Sequence, residues 1–568
     1  MSRQRALPLA ALVLLAACAS VPSGSAAPAP YDVIIGGGKI VDGTGNPWYY
    51  GDVGVTNGRI ARIAARGALA TAPAVHRIDA SRLVVAPGFI DIQAQSYDEH
   101  LIGDGRVISK LSQGVTTEIF GEGTTPAPVN ATMLAAMPPS DSVMRRLSAA
   151  FAGSHGFGAW LDAMVQHGSA VNVGSFLGAT VPRIFAKGYS DGRASPAELD
   201  TMRRVVRDAM RDGAFGVASA LIYPPATYTS TDELVAMAEA MAPFGGVYIT
   251  HIRSEDDQLL EAVDEALAIG RRGGVPVEIY HLKAAGSRNW SKAARLVSTI
   301  DSARAAGQDV GATMYPYPAS ANTLASCVPA WASVDDRLLA NLRDSSTRAR
   351  VVHDMTDASA GRTALCQIDP PSVIMVVGLT RPELRKYEGW RLDRIATDMQ
   401  RPWAETIVDL LLAQDGRVGK ITFSMNDANV AMQLRRPWVI IGSDAEAYDP
   451  AQATGLAHPR AYGTFPRVLG KYVRDDGVLE LEDAVRRMTG ATAARLGIAD
   501  RGLLREGMAA DIAVFDPATI ADRATYERPH QVAIGLTSVF VNGVEVWRDG
   551  VATGALPGRV LRGAGATR

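Results

Sequence analysis

The chain is poor in cysteine, in aromatic residues and in any excess of one charge sign. Its 57 lysines and arginines nearly balance 59 aspartates and glutamates, leaving a net charge of −2. A field of that kind does not gather polyanions, so nucleic acid is excluded as a general partner and any anion site must be local. Beyond the first twenty residues no apolar run reaches the roughly 20 residues that a spanning helix needs. No GxGxxG turn follows an early strand, which argues against a dinucleotide-binding doubly wound sheet. The three glycines at 36–38 fall inside an expected hairpin and read as a plain turn. Of the three cysteines, Cys327 and Cys366 can pair or remain two buried thiols; their spacing suits both.

Hydrophobic residues make up 47% of the 568 positions, enough to bury one large core or to divide into two domains. Arg3 and Arg5 precede ALPLAALVLLAA, the charged-then-apolar order of an export signal and too short to span a bilayer. Leu15, Ala16, Ala17 and Cys18 resemble the lipobox of bacterial lipoprotein signals, which implies a signal over residues 1–18 and lipidation of the Cys18 thiol. Ala19 rather than aspartate follows, so the expected location is the cell envelope, anchored to the outer membrane and facing the periplasm. Residues 19–30 have the composition of a flexible tether. Membrane contact is expected through that anchor alone.

Residues 31–86 and 495–568 share a texture of short alternating strands. Asn57-Gly58 and Asn542-Gly543 are hairpin dipeptides between apolar runs. Both chain ends therefore read as parts of one small β domain. Between them, residues 87–494 alternate strand-like and helix-like text. Eight candidate strands stand out: VVAPGFIDI, GVTTEIFG, AVNVGSFLG, GAFGVASA, GVYITHI, VPVEIYHLK, DVGATMYP and PWVIIGSD. Ser195, Pro196 and Glu198 open one of the intervening helices as an N-terminal cap. Eight strand-helix units predict an α/β fold of the (β/α)8 TIM-type barrel class, with an open doubly wound sheet as the fallback. The stretch at about 315–437 is too long for a loop and reads as an insertion over the barrel mouth, able to cover a site and shape specificity.

Polar, metal-competent residues end several of those strands. His251 closes GVYITHI and His281 closes VPVEIYHLK, so a barrel makes them neighbours. Glu122 ends the second strand and Asp444 the eighth. A carboxylate, two imidazoles and a nearby aspartate are what metal-assisted hydrolysis needs: ligands for the ion and a base for its water. A lone histidine is more often structural, but two at strand ends with a matching aspartate favour a metal.

These residues and the text around them resemble the amidohydrolase superfamily, and within it the N-acyl-D-amino-acid deacylases, or D-aminoacylases. The matching segments run in family order over roughly residues 31–568. They include APGFIDI, LSQGVTTEIFGEG, ALIYPPATYTSTDEL, YITHIRSE, YHLKAAG, YPYPAS, IGSDAEA, HPRAYGTFPRVLGKYV and MTGATAARLGIADRGLLREGMAADIAVFDP. The resemblance implies a barrel with a β-sandwich built from both chain ends. It also implies zinc-dependent hydrolysis of a small N-acyl-D-amino acid to a carboxylate and a free D-amino acid.

The chain departs from the family in two places. Gln93 and Gln95 stand where the family usually has His-x-His, and Glu122 stands where a metal-binding cysteine is common. Neutral amides bind zinc far less well than imidazole. One zinc, held by Glu122, His251 and His281, is therefore expected, with Asp444 as the catalytic base. Positional matching implies Lys283 and Arg460 as grips for the substrate carboxylate and neighbouring oxygens, and Tyr223 and Tyr315 as pocket walls. The plainer roles, a surface ion pair for arginine and barrel packing for tyrosine, stay open. His458 is read as structural. Two other readings stand beside the deacylase. One is hydrolysis of another amide, a D-residue-containing dipeptide or a cyclic amide; the other is a lipid-anchored binding protein that has lost catalysis.

Overall fold

The protein is described from a computed structural model over residues 30–137, 142–357, 365–367 and 369–567. The export signal, Cys18 and all of the tether but Pro30 lie outside the described residues.

Eight short parallel strands form the centre. They are β1 (Phe89–Asp91), β2 (Val115–Phe120), β3 (Asn172–Ser175, resuming at Leu177–Gly178), β4 (Gly216–Ala220), β5 (Val247–His251), β6 (Val277–Ile279), β7 (Val310–Met314) and β8 (Val439–Ile441). Every residue in them is buried, as expected for strands covered by helices outside and by side chains within. Each pairs in parallel with the next; a break at Phe176 separates the two parts of β3. The ring closes between β8 and β1. There Asp444 N–H donates to Gln93 O at 2.7 Å and Gln95 N–H to Ala445 O at 3.0 Å. The eight runs read from the sequence are these eight strands. The intervening helices carry their own signals. Pro196–Asp212, for example, starts in a reciprocal cap between Ser195 and Glu198 and stops at Gly213 in a left-handed conformation (φ 106°).

Strands from both chain ends share one nine-stranded sheet, in which Val84–Pro87 pairs with Ile512–Phe515. Val33, Ile35, Val53, Val55, Ile512, Val514 and Phe540 fill its apolar cluster. Both Asn-Gly dipeptides turn hairpins, with positive φ at all four residues, as the two-residue turn requires. The glycines at 36–38 are not a turn. They lie inside the strand Tyr31–Ile40, where the pairing register shifts between Ile35 and Gly38. Gly37 takes φ 73°, and a Cβ on Gly38 would stand 2.5 Å from Val85 Cγ2, so the triple glycine makes a bulge with a close approach. The last residues also leave the sheet. Val560 bridges to Val173, and Leu561 N–H donates to Val173 O at 2.7 Å, which seats the tail on β3 of the barrel.

Between β7 and β8 the chain builds a three-stranded antiparallel sheet from Ser320–Thr323, Ile374–Val377 and Gly419–Thr422. It has a hydrophobic cluster of its own, including Leu324, Val376, Leu392, Ile407 and Leu411. Cys327 and Cys366 pair within it, with Cα atoms 4.8 Å apart. The helix Asp427–Leu434 buries Val430 and Leu434 in the main core, so it serves the barrel and not the inserted unit.

A buried ion network sits under the barrel closure. Lys110 Nζ donates to Asp91 Oδ2, Ser443 Oγ and Ala445 O, each at 2.8 Å, and lies 3.4 Å from Glu118 Oε1. Lys110, Asp91 and Glu118 have no exposed side-chain surface. One ammonium thus ties the end of β1 to the end of β8. Lys110→Met leaves two carboxylates buried without it, and a loss of about 3–5 kcal/mol is expected, seen as a lower denaturation midpoint. A midpoint within error of the parent would show that the network does not hold the closure.

Candidate metal centre

The carboxyl ends of the strands point their side chains at one place. Glu122 lies two residues past β2, His251 ends β5 and His281 lies two residues past β6. Glu122 Oε1 is 3.0 Å from His251 Nδ1 and 3.1 Å from His281 Nε2, and those ring nitrogens are 3.0 Å apart. All three side chains are buried or nearly so. Two nitrogen lone pairs and a carboxylate oxygen facing one another cannot all be satisfied by one proton; a cation between them satisfies all three. Donors about 2.0–2.1 Å from a tetrahedral ion stand about 3.3 Å apart, close to the spacing found. The donor set fits a divalent transition metal.

The surroundings favour positive charge there. Burial would raise the Glu122 pKa, but His281 and His251 hold it well below the carboxylate range. Burial and Lys283 pull the His281 ring down, yet Glu255 and Glu122 hold it up, at about 9. His251 is lowered, chiefly by burial. Glu255 is the residue that sequence reasoning missed. Its Oε1 lies 3.0 Å from His281 Nδ1, 3.5 Å from His251 Nε2 and 2.6 Å from Lys283 Nζ, so it backs the His281 ring closely and faces that of His251 at longer range. The only sequence signal was an acid four residues past His251, which spacing alone does not single out.

Gln93 and Gln95 face the same carboxylate. Their amide nitrogens donate to Glu122 Oε2 at 2.7 and 2.9 Å, while Gln93 Oε1 accepts from Thr313 Oγ1 at 2.9 Å. Two neutral donors hold one oxygen of Glu122 and leave the other to the imidazoles.

Asp444 stands three residues past β8, and both it and His281 adopt left-handed backbone (φ 51° and 34°). Such strain in non-glycine residues persists only where the surroundings impose it, and it turns both side chains off the strand direction. Burial raises the Asp444 pKa to about 6 against the pull of Arg460, with Glu122 adding to the rise. Arg460 Nη1 lies 2.7 Å from Asp444 Oδ2, and its guanidinium sits 4.7 Å over the Tyr315 ring. Tyr223 places its ring 5.3 Å from that of His251 and accepts a hydrogen bond from Asn322 Nδ2 at 3.0 Å. His458 is tied to the backbone, to Ala319 O and to the Arg460 N–H, both at 3.0 Å, and takes no place in the cluster. A cavity of about 690 Å³ opens over the centre, lined among others by Gln95, Glu122, Tyr223, Asn322, Asp444 and Arg460. Lys283 and Tyr315 are buried and are not among its lining residues.

Residues 395–551 match a family model described as the amidohydrolase family. The chain is 36% identical to a D-aminoacylase of Alcaligenes xylosoxydans xylosoxydans, over 94% of this chain and 98% of that one. It is 35% identical to an N-acyl-D-aspartate deacylase of the same organism, over 94% and 96%. In structure it is similar to an N-acyl-D-glutamate deacylase from Bordetella bronchiseptica, solved with zinc and a phosphonate mimic of the tetrahedral intermediate. That match has a TM-score of 0.75 and 31% identity over 94% of this chain and all of that one.

A proton on His281 competes with any metal, because the ring must be neutral to ligate. With its pKa near 9, metal affinity is full above that pH and falls as pH drops. Zinc titration of the metal-free protein against a chelating dye is expected to show about a tenfold loss of affinity per unit between about pH 8 and pH 6. A flat affinity over that range would contradict ligation by His281.

Proposed function

The chain belongs to the D-aminoacylase family of amidohydrolases, and on that footing we propose a metal-dependent hydrolase that cleaves N-acyl-D-amino acids to a carboxylate and a free D-amino acid. The observation that carries the reading is the convergence of Glu122, His251 and His281 beside Asp444 and Arg460 under one cavity. Relatives matched over nearly their whole length act on N-acyl-D-amino acids, and one was solved with zinc. The nine-stranded terminal sheet is in keeping with the small β-sandwich that accompanies such barrels.

The metal count follows from the amides. Gln93 and Gln95 occupy the His-x-His positions of the family and spend their donors on Glu122. We therefore assign one ion, and zinc because a relative was solved with it and the set of one oxygen and two nitrogens suits it. When bound, that ion supplies a Lewis acid for the scissile carbonyl and lowers the pKa of its water toward roughly 7. The remaining steps belong to the chain. Asp444 takes a proton from water at its carboxylate and returns it to the leaving nitrogen. Burial, which raises its pKa, favours its holding that proton between the two transfers. Arg460, oriented by Asp444, keeps donors for the substrate carboxylate, and its planar fork suits two parallel hydrogen bonds. Lys283, fixed by Glu255, neutralises charge beside His281.

The leader supports an address in the cell envelope: Arg3 and Arg5, an apolar run and Cys18 in that order. Among the described residues no helix is long and apolar enough to cross a membrane. A lipid at Cys18 is the proposed anchor, on the order of charge, apolar run and cysteine in the leader.

Asp444→Asn keeps the shape and removes the base, and kcat is expected to fall by about 10²–10⁴-fold with metal content unchanged. Retained turnover would remove Asp444 from the mechanism, and no turnover in the parent on any N-acyl-D-amino acid would favour the binding protein. Metal analysis is expected to give one equivalent. The double change Gln93→His, Gln95→His is expected to admit a second; two equivalents in the parent would refute the count.

A further inference from the structure

Two of the cations beside the reaction centre are already matched. Lys283 is ion-paired with Glu255 at 2.6 Å and Arg460 with Asp444 at 2.7 Å. Another is Lys420, on the inserted strand Gly419–Thr422, buried where Arg417, which also lines the cavity, is exposed. It is 4% exposed and lines the same cavity as Glu122, Asp444 and Arg460. Its Nζ donates to Thr422 Oγ1 at 3.1 Å, and among the described residues no carboxylate lies within ion-pairing distance. Asp369 and Glu255 reach it only as longer-range fields; burial lowers its pKa to about 8, so it stays largely charged at neutral pH.

An ammonium taken out of water without a counterion is costly, and such a group is retained where something else completes it. Lys420 pairs in register with Asn322, which reaches the Tyr223 hydroxyl, and the Tyr223 ring lies against His251. This strand pair therefore forms the wall of the cavity beside the metal ligands. We propose that Lys420 receives the side-chain carboxylate of the substrate, so that the preferred substrates are N-acyl derivatives of D-aspartate or D-glutamate. The proposal rests on the deacylase reading above and assigns the specificity of that site to the insertion. A neutral side chain there would leave the buried ammonium without a partner. A second carboxylate on the substrate supplies the ion pair that Lys420 lacks.

The test is hydrolysis of the N-acetyl derivatives of D-glutamate, D-aspartate, D-methionine and D-leucine by the metal-loaded full chain and by its Lys420→Met and Lys420→Arg variants. The parent is expected to favour the acidic substrates in kcat/KM. The acidic-to-neutral ratio is expected to fall by about 100-fold in Lys420→Met and to recover in part in Lys420→Arg. Calorimetric binding of free D-glutamate, set against D-methionine, should lose its preference in the same order without any turnover being read. Three results overturn the proposal: a parent that prefers neutral substrates, a ratio unmoved by Lys420→Met, or a proportional loss on all four. The last would put Lys420 on the shared α-carboxylate instead. Turnover of neutral substrates alone leaves the deacylase reading standing and defeats this inference. No turnover on any of the four defeats both. If Lys420→Met fails to fold, the parent preference and the Lys420→Arg ratio still decide.

Discussion

The site depends on how one carboxylate is held. Glu122 offers one oxygen to two imidazoles and the other to two amides, and it does so largely buried at the edge of the cavity. A buried carboxylate left free would gain a proton or turn toward the nearest donor. Here Gln93 and Gln95 occupy Oε2, so Oε1 stays aimed at His251 and His281 and its charge stays available to a cation. The amides do this without adding positive charge, which keeps the centre attractive to a metal.

That clamp in turn depends on the barrel being shut. Gln93 and Gln95 follow β1, and their backbone hydrogen bonds to Asp444 and Ala445 join β1 to β8. Lys110 ties the same two strand ends together from below. One set of interactions therefore fixes the carboxylate clamp and the aspartate together. The left-handed backbone at His281 and Asp444 fits this arrangement. Both residues leave their strands at angles that an unconstrained chain avoids, and the surrounding hydrogen bonds keep them there. The inserted unit brings a separate core and its own disulfide, so a cavity wall can vary while the barrel below stays the same.

Much of the fold was legible in the chain. All eight barrel strands are apolar runs of period-two or fully buried type, and strand length and flanking turns told them apart from helices. The Asn-Gly hairpins were legible because only a few residue types tolerate positive φ at two successive positions. The triple glycine was misread, because a bulge and a turn ask the same freedom of glycine and differ only in what lies opposite, here Val85. The C-terminal tail was assigned to the terminal sheet; its docking on Val173 depends on a partner some 390 residues earlier, which no local pattern reports.

For the site, Glu122, His251, His281 and Asp444 were nameable from sequence because each lies at or within three residues past the end of a strand, and parallel strands in a closed barrel bring their ends together. What Gln93 and Gln95 do was not nameable. From the sequence they are expected only to be weaker ligands than histidine; the folded chain turns their amides onto Glu122. Glu255 and Lys420 also became visible only in three dimensions. Residue type and periodicity set which side chains are buried at a strand end. Which charges then find partners is decided by distances across the barrel, and those arise only once all eight strands have closed.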